Sequence, residues 1–316
     1  MSEKDMTEKT LEDFDDVFAD IVNVLLFNGQ RLIEESDLSP ETARSIYKAD
    51  GKLHEQERDV AKYWKNGLIR LALLGMENQT VTDADMPLRV IGYDGAAYRN
   101  QLNADKDNIE AGRPKERYPV VTMVLYFGYK HHWKKHRHLL DSIKVPEVLK
   151  PFVHDYPINL FEIAWLSDEQ LAMFKSDFRI VADYFVQMRK NKNYQPSKDT
   201  MNHVHEVLQL MSVVTDDSRF EEAQNYVKRS GSNMCEVLDA IENRGIEKGI
   251  AKGIEKGIEK GSEKRQFTTV TKTLSRYIRR SLPIDAQVLE DIAEDNELTV
   301  EKVRSIAKEN GISLSC

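Results

Sequence analysis

The chain has 316 residues, 53 Asp and Glu against 45 Lys and Arg, a formal charge of −8 and two cysteines. That length allows one large domain or two smaller ones, and 41 % hydrophobic residues suffice for a core. Cys235 and Cys316 are too few and too far apart for a disulfide framework or a thiolate zinc site, which fits a reducing compartment. No apolar run approaches the ~18 residues of a membrane helix. The acidic start (Glu3, Asp5, Glu8, Glu12, Asp13, Asp15, Asp16) is unlike a signal or transit peptide, so the expectation is a soluble, cytoplasmic protein.

The negative total argues against a nucleic-acid partner only until it is divided by region. Residues 1–112 hold 23 acidic and 13 basic residues, a net of −10, whereas residues 113–316 hold 30 and 32, a net of +2. Within 113–138 stand Arg113, Lys115, Arg117, Lys130, Lys134, Lys135 and Arg137 against one acid, Glu116. Such a segment suits a phosphate-binding surface or a solvated loop.

In chain order, the apolar spacing from Asp13 to Phe27 (Phe14, Val17, Phe18, Ile21, Val22, Val24, Leu25) predicts a helix stopped at Gly29. Residues 42–52, turning at Asp50-Gly51, read as part of a strand pair. Arg58 to Trp64 reads as a strand ending at Asn66-Gly67, and the apolar run Leu68 to Met76 as a buried strand. Asp83 or Asp85 can cap a helix from Met86 or Pro87 to about Leu102. Tyr118 to Phe127 is β-branched and aromatic, a central strand, and Ile158 to Ile163 is a shorter one. This order is that of an α/β fold over residues 10–165.

After Trp165 only helical signals follow. One helix is expected from Ser167 to about Arg189, another over 198–213, and a third over 217–241 with a break near Ser230-Gly231. The organisation read from this is 10–165, a helical region 166–244, a repeat 245–265 and a helical segment 266–316. Residues 245–261 repeat Gly-Ile-Glu/Ala-Lys with period four, so the isoleucine row advances about 40° per repeat on a helix. Five glycines cost about 1 kcal/mol each relative to Ala, so the segment is a linker or a helix supported by a partner, such as a homo-oligomer. Residues 291–309 hold two short amphipathic pieces that favour a helical hairpin over a base-reading helix-turn-helix.

The chain lacks a Gly-x-Gly-x-x-Gly loop, a Walker loop, a Gly-x-Ser-x-Gly elbow and a Cys-x-x-Cys pair. His132 and His136 have the i, i+4 spacing of a zinc helix, but no Glu follows His132 and lysines surround them. Asp59 and Glu77 are better placed. If Asn66-Gly67 joins two neighbouring strands, the two carboxylates meet at one end of a sheet, an oxygen-only donor set suited to Mg²⁺ or Mn²⁺. Gln79, two residues beyond Glu77 on an extended strand, shares its face and can hydrogen-bond a water or phosphate oxygen.

Arg58-Asp59, Gly75-Met76-Glu77-Asn78-Gln79, Met86-Pro87-Leu88-Arg89, Tyr93-Asp94 and Tyr98, in that order, resemble the PD-(D/E)XK nuclease family transposases. These are also described as the recombination-promoting nuclease family, or YhgA-like transposases. Phe18-Ala19-Asp20, Asn23, Phe27, Tyr118-Pro119-Val120-Val121, Leu125-Tyr126-Phe127-Gly128, Trp133 and the tail repeat extend the likeness. The resemblance implies a restriction-endonuclease-like mixed sheet flanked by helices, and a Mg²⁺- or Mn²⁺-dependent DNA endonuclease linked to recombination and mobile elements. By position, Asp59 and Glu77 match the metal-binding acids, and Asp20 a helix acid used by some relatives. Gln79 stands where the superfamily has Lys, and a neutral amide stabilises negative charge less well. Arg58 or Arg89 is expected on phosphate, with Lys130, Lys134, Lys135 and Arg137 along the DNA backbone. The rival expectation is a DNA-binding or interaction protein that keeps the fold with weak or no catalysis.

Overall fold

The computed structural model describes residues 10–41, 44–49, 52–57, 59–67, 69–110, 117–312 and 314. It divides into two units, Met1–Ile241 and Glu242–Cys316.

The first unit is α/β. Its strands are β1 (Leu38–Pro40), β2 (Arg44–Ala49), β3 (Lys52–Glu57), β4 (Val60–Asn66), β5 (Ile69–Gln79), β6 (Val120–Tyr126) and β7 (Asn159–Glu162). Five of them form one sheet in the order β1-β4-β5-β6-β7, while β2 and β3 pair as a separate antiparallel hairpin. The two residues that turn that hairpin, Asp50-Gly51, lie outside the described residues. Strand β4 is antiparallel to both β1 and β5, and β5, β6 and β7 run parallel. The β4–β5 hairpin turns at Gly67, whose φ of +59° is a left-handed value that glycine adopts without steric cost.

Helix α2 (Met86–Glu110) connects β5 to the parallel β6. It runs beyond the Leu102 expected from sequence, because a parallel connection must carry the chain back along the sheet. Side chains on β5 alternate between the two faces. Leu74 and Met76 pack with Phe18 and Ile21 of α1 (Asp15–Leu25), while Leu73 packs with Ala97 of α2.

The helical region does not form a core of its own. Helices α5 (Phe178–Asn191), α6 (Val204–Thr215) and α7 (Ser218–Ala223) place Phe178, Phe185, Val207, Met211 and Phe220 in the cluster that begins at Leu11, and α4 (Asp168–Met173) packs the partly buried Leu171 and Met173 against it. The single helix expected from Ser167 to Arg189 is two, α4 and α5. The cause is remote in sequence: Asp20 Oδ2 accepts the backbone N–H groups of Lys175 (2.8 Å) and Ser176 (2.7 Å), which a continuous helix would keep for itself. Asp177 likewise takes the N–H groups of Asn202 and His203, so α6 starts at Val204 rather than Lys198.

Helix α8 (Met234–Arg279) begins in the first unit and passes through all five repeat glycines of the second as one helix. Its C-terminal end packs Val270 and Leu274 against α9 (Ala286–Asp295) and α10 (Val300–Glu309), a helical hairpin with Leu289, Ile292, Val303 and Ile306 buried. No helix among the described residues is long and apolar enough to cross a membrane.

Candidate active site

The antiparallel register fixes the centre of the site. Val60 faces Met76, so the next facing pair is Asp59 and Glu77, at the end of the sheet where β5 and β6 finish. Ligands of open parallel sheets gather at that end. Asp59 is exposed, and its Oδ2 accepts the backbone N–H of Asn78 at 2.6 Å. Glu77 is only 3 % exposed and lies on the α2 face of the sheet.

Arg89, one turn into α2, forms an ion pair with Glu77 Oε1 and a second with Asp83 at 3.1 Å. Gln79 Nε2 donates to the same Oε1 at 3.2 Å, and the Tyr93 hydroxyl reaches it at 3.5 Å. Burial opposes the Arg89 charge, but its hydrogen bond with Tyr93 and the Glu77 carboxylate hold the guanidinium still more firmly protonated. Burial, then the Glu77 charge, push the Tyr93 hydroxyl up, so it stays a donor.

Asn78 points to the opposite face, towards α1, where its Nδ2 donates to Glu12 Oε1 at 3.1 Å. Glu12 is fully buried; burial pushes its carboxyl up to about 7, and the neighbouring Asp59 adds to the rise. Glu12 Oε2 and Asn78 Oδ1 are buried with no hydrogen-bond partner among the described residues. Glu12, Asn78, Asp59 and Thr10 line a cleft of about 440 Å³ that Gln209, Leu210 and Val213 complete. The Asp59 charge acts on both Glu12 and Tyr93, groups on opposite faces of the sheet.

Glu12 was not singled out in the sequence. Seven acids lie between residues 3 and 16, and nothing in their spacing selects the one that is buried. Asp20, expected to match a helix acid, is employed elsewhere. Its Oδ1 pairs with Arg31 at 2.6 Å and its Oδ2 accepts the two backbone N–H groups at the α4–α5 break. Among the described residues no three of His, Cys, Asp and Glu converge as a ready cation cage. The acids Asp59 and Glu77 still suit a hard cation, being oxygen donors only, and on the α1 side of Asp59 the buried Glu12 Oε2 and Asn78 Oδ1 lack hydrogen bonds among the described residues. Mg²⁺ takes one or two carboxylates and fills its remaining positions with water and phosphate oxygens.

Of the residues expected on DNA, Arg58 lies outside the described residues. Arg89 sits at the acid cluster, its side chain 38 % exposed. Lys130, Lys134 and Lys135 are exposed on the segment that follows β6, and Arg137 pairs with Glu162 at 3.2 Å. This segment is not the histidine-bearing helix that i, i+4 spacing could have made. It is an ordered loop: Trp133 is buried against Tyr126, its backbone N–H donates to Glu162 Oε1 at 2.6 Å, and His132 stacks on Trp165 with ring centroids 3.4 Å apart. Gly128 is required there, since a Cβ would fall 2.0 Å from the Tyr126 hydroxyl. His136 Nδ1 lies 3.1 Å from the Ala84 carbonyl, so the loop packs against the residues that leave β5. The basic loop and the acid cluster therefore share one end of the sheet.

Residues 71–219 match the family model described as "Putative transposase, YhgA-like". The match begins within β5 and takes in Glu77, Gln79, Arg89, the basic loop and α4–α6, whereas Asp59 and Glu12 precede it. No curated protein and no solved structure matches the chain significantly.

Proposed function

We propose that this chain is a divalent-metal-dependent DNA endonuclease of a transposase-like kind, associated with recombination or mobile elements and built on a restriction-endonuclease-like core. The observation that carries the reading is the β4–β5 register, which sets Asp59 opposite Glu77 with Gln79 beside it, Glu77 and Gln79 lying inside the transposase-like match and Asp59 before it. Asp59 and Glu77 are the residues that would hold Mg²⁺ or Mn²⁺, with Glu12 next to Asp59. When bound, such an ion polarises a phosphate oxygen and lowers the pKa of a water.

The chain's own groups do the positioning. Gln79 fixes the Glu77 carboxylate through its amide and presents a neutral dipole to the attacking water. Without the Lys charge at this position, less stabilisation is supplied to the developing phosphorane, which makes the chemistry slow. Arg89 balances the Glu77 charge, and its part-exposed guanidinium is the group that would meet a phosphate oxygen. Lys130, Lys134 and Lys135 then track the duplex backbone from the adjoining loop.

The test is relaxation of supercoiled plasmid with Mg²⁺. Wild type is expected to nick, and Asp59→Ala and Glu77→Ala to lose at least about 100-fold. Variants that cleave like wild type overturn the assignment. A second reading, a DNA-binding protein without catalysis, is favoured by one feature: Arg89 already neutralises Glu77. It predicts salt-dependent DNA affinity with no calorimetric metal binding.

A further inference from the structure

The repeat glycines at 245, 249, 253, 257 and 261 are each followed by an apolar or small residue: Ile246, Ile250, Ile254, Ile258 and then Ser262. The four isoleucines are 53–69 % exposed, and a Cβ added to any of the five glycines would meet nothing within 4 Å. A row of four uncovered isoleucines about 18 Å long, with glycine beside each, is a surface that soluble chains usually cover.

We propose that this row is the contact between two copies of the chain, paired in parallel. The charges select both the partner and its direction. At about 100° per residue the order around each turn is Gly, Ile, Glu, Lys. The Ile/Gly face is therefore bordered by glutamates on the isoleucine side (247, 255, 259) and by lysines on the glycine side (248, 252, 256, 260). In a parallel two-fold pair each flank of one helix lies against the opposite flank of the other; in an antiparallel pair each flank meets its own kind. Parallel pairing sets glutamate rows against lysine rows on both sides of the seam. Antiparallel pairing sets lysine against lysine and glutamate against glutamate.

The glycines let the backbones approach, and a four-residue period suits a right-handed crossing of small-xxx-small type. The contact is short, so the dimer is concentration-dependent.

Sedimentation equilibrium of the full chain tests the contact. Wild type is expected to pass from monomer to dimer with concentration. Ile250→Ala/Ile254→Ala/Ile258→Ala, which improves helix propensity, is expected to raise the dissociation constant at least tenfold with unchanged far-UV circular dichroism. A wild type that stays monomeric, or a variant that dimerises equally well, overturns the proposal. Direction is read by pyrene at Glu242→Cys or Ser262→Cys, one repeat beyond each end of the row, in a Cys235→Ser/Cys316→Ser background. Excimer emission at both positions supports parallel pairing. A dimer with excimer at neither overturns it.

Discussion

Replacing Glu12 by Gln isolates the most unusual group near the site. In the folded chain burial pushes the Glu12 carboxyl up to about 7, from an ordinary 4.5. Between those values the folded state holds a proton that the unfolded state has released, so stability falls as pH rises through this window and levels off above it. The span of about 2.5 units at 1.36 kcal/mol each is worth about 3 kcal/mol. The buried amide of Gln lacks this titration and has the shape of the protonated acid. Urea unfolding at pH 4, 5, 6, 7 and 8, followed by tryptophan fluorescence, is the assay. The three tryptophans, Trp64, Trp133 and Trp165, all lie in the first unit, so the signal reports that unit. Relative to wild type, Glu12→Gln is expected to gain about 3 kcal/mol between pH 4 and pH 8. Parallel pH profiles for the two proteins would refute the reasoning.

Asp20→Ala removes the Arg31 partner and the acceptor for two backbone N–H groups, and is expected to cost roughly 3–5 kcal/mol by urea unfolding. Its cleavage rate per folded molecule should match wild type; a drop like that of Asp59→Ala would restore Asp20 to the metal site. Gly128→Ala drives a Cβ into the buried Tyr126 ring and should lower the thermal midpoint, with a cost of about 1–3 kcal/mol; an unchanged midpoint means the loop yields without strain. Lys130→Ala/Lys134→Ala/Lys135→Ala should flatten the slope of log affinity against log salt by about 0.9 for each phosphate that the variant no longer neutralises. A slope equal to wild type places the DNA elsewhere.

The parts of the fold that are local in sequence were readable from it. Asn66-Gly67 between an extended segment and an apolar run is a hairpin signal, and that hairpin brings Asp59 and Glu77 to one end of the sheet. The Glu77–Gln79 contact follows from the two-residue period of a strand. The parts set by distant partners were not readable. The break between α4 and α5 depends on Asp20, 155 residues earlier, and the start of α6 on Asp177. The edge strand Leu38–Pro40 is three residues long and ends in proline, too short and too polar to carry a period. Helices α4–α7 looked like a separate region because strand signals cease after Trp165, yet their apolar residues share one cluster with the sheet and α1. Glu12 is an ordinary member of an acidic run until packing removes it from water.

The central claim is that Asp59 and Glu77 together bind the ion that cleaves DNA. Anomalous diffraction from crystals soaked in Mn²⁺ tests it directly. The account predicts a peak within coordination distance of both carboxylates, absent from Glu77→Ala crystals. A cleavage-competent protein whose Mn²⁺ peak lies away from Asp59 and Glu77 would contradict it.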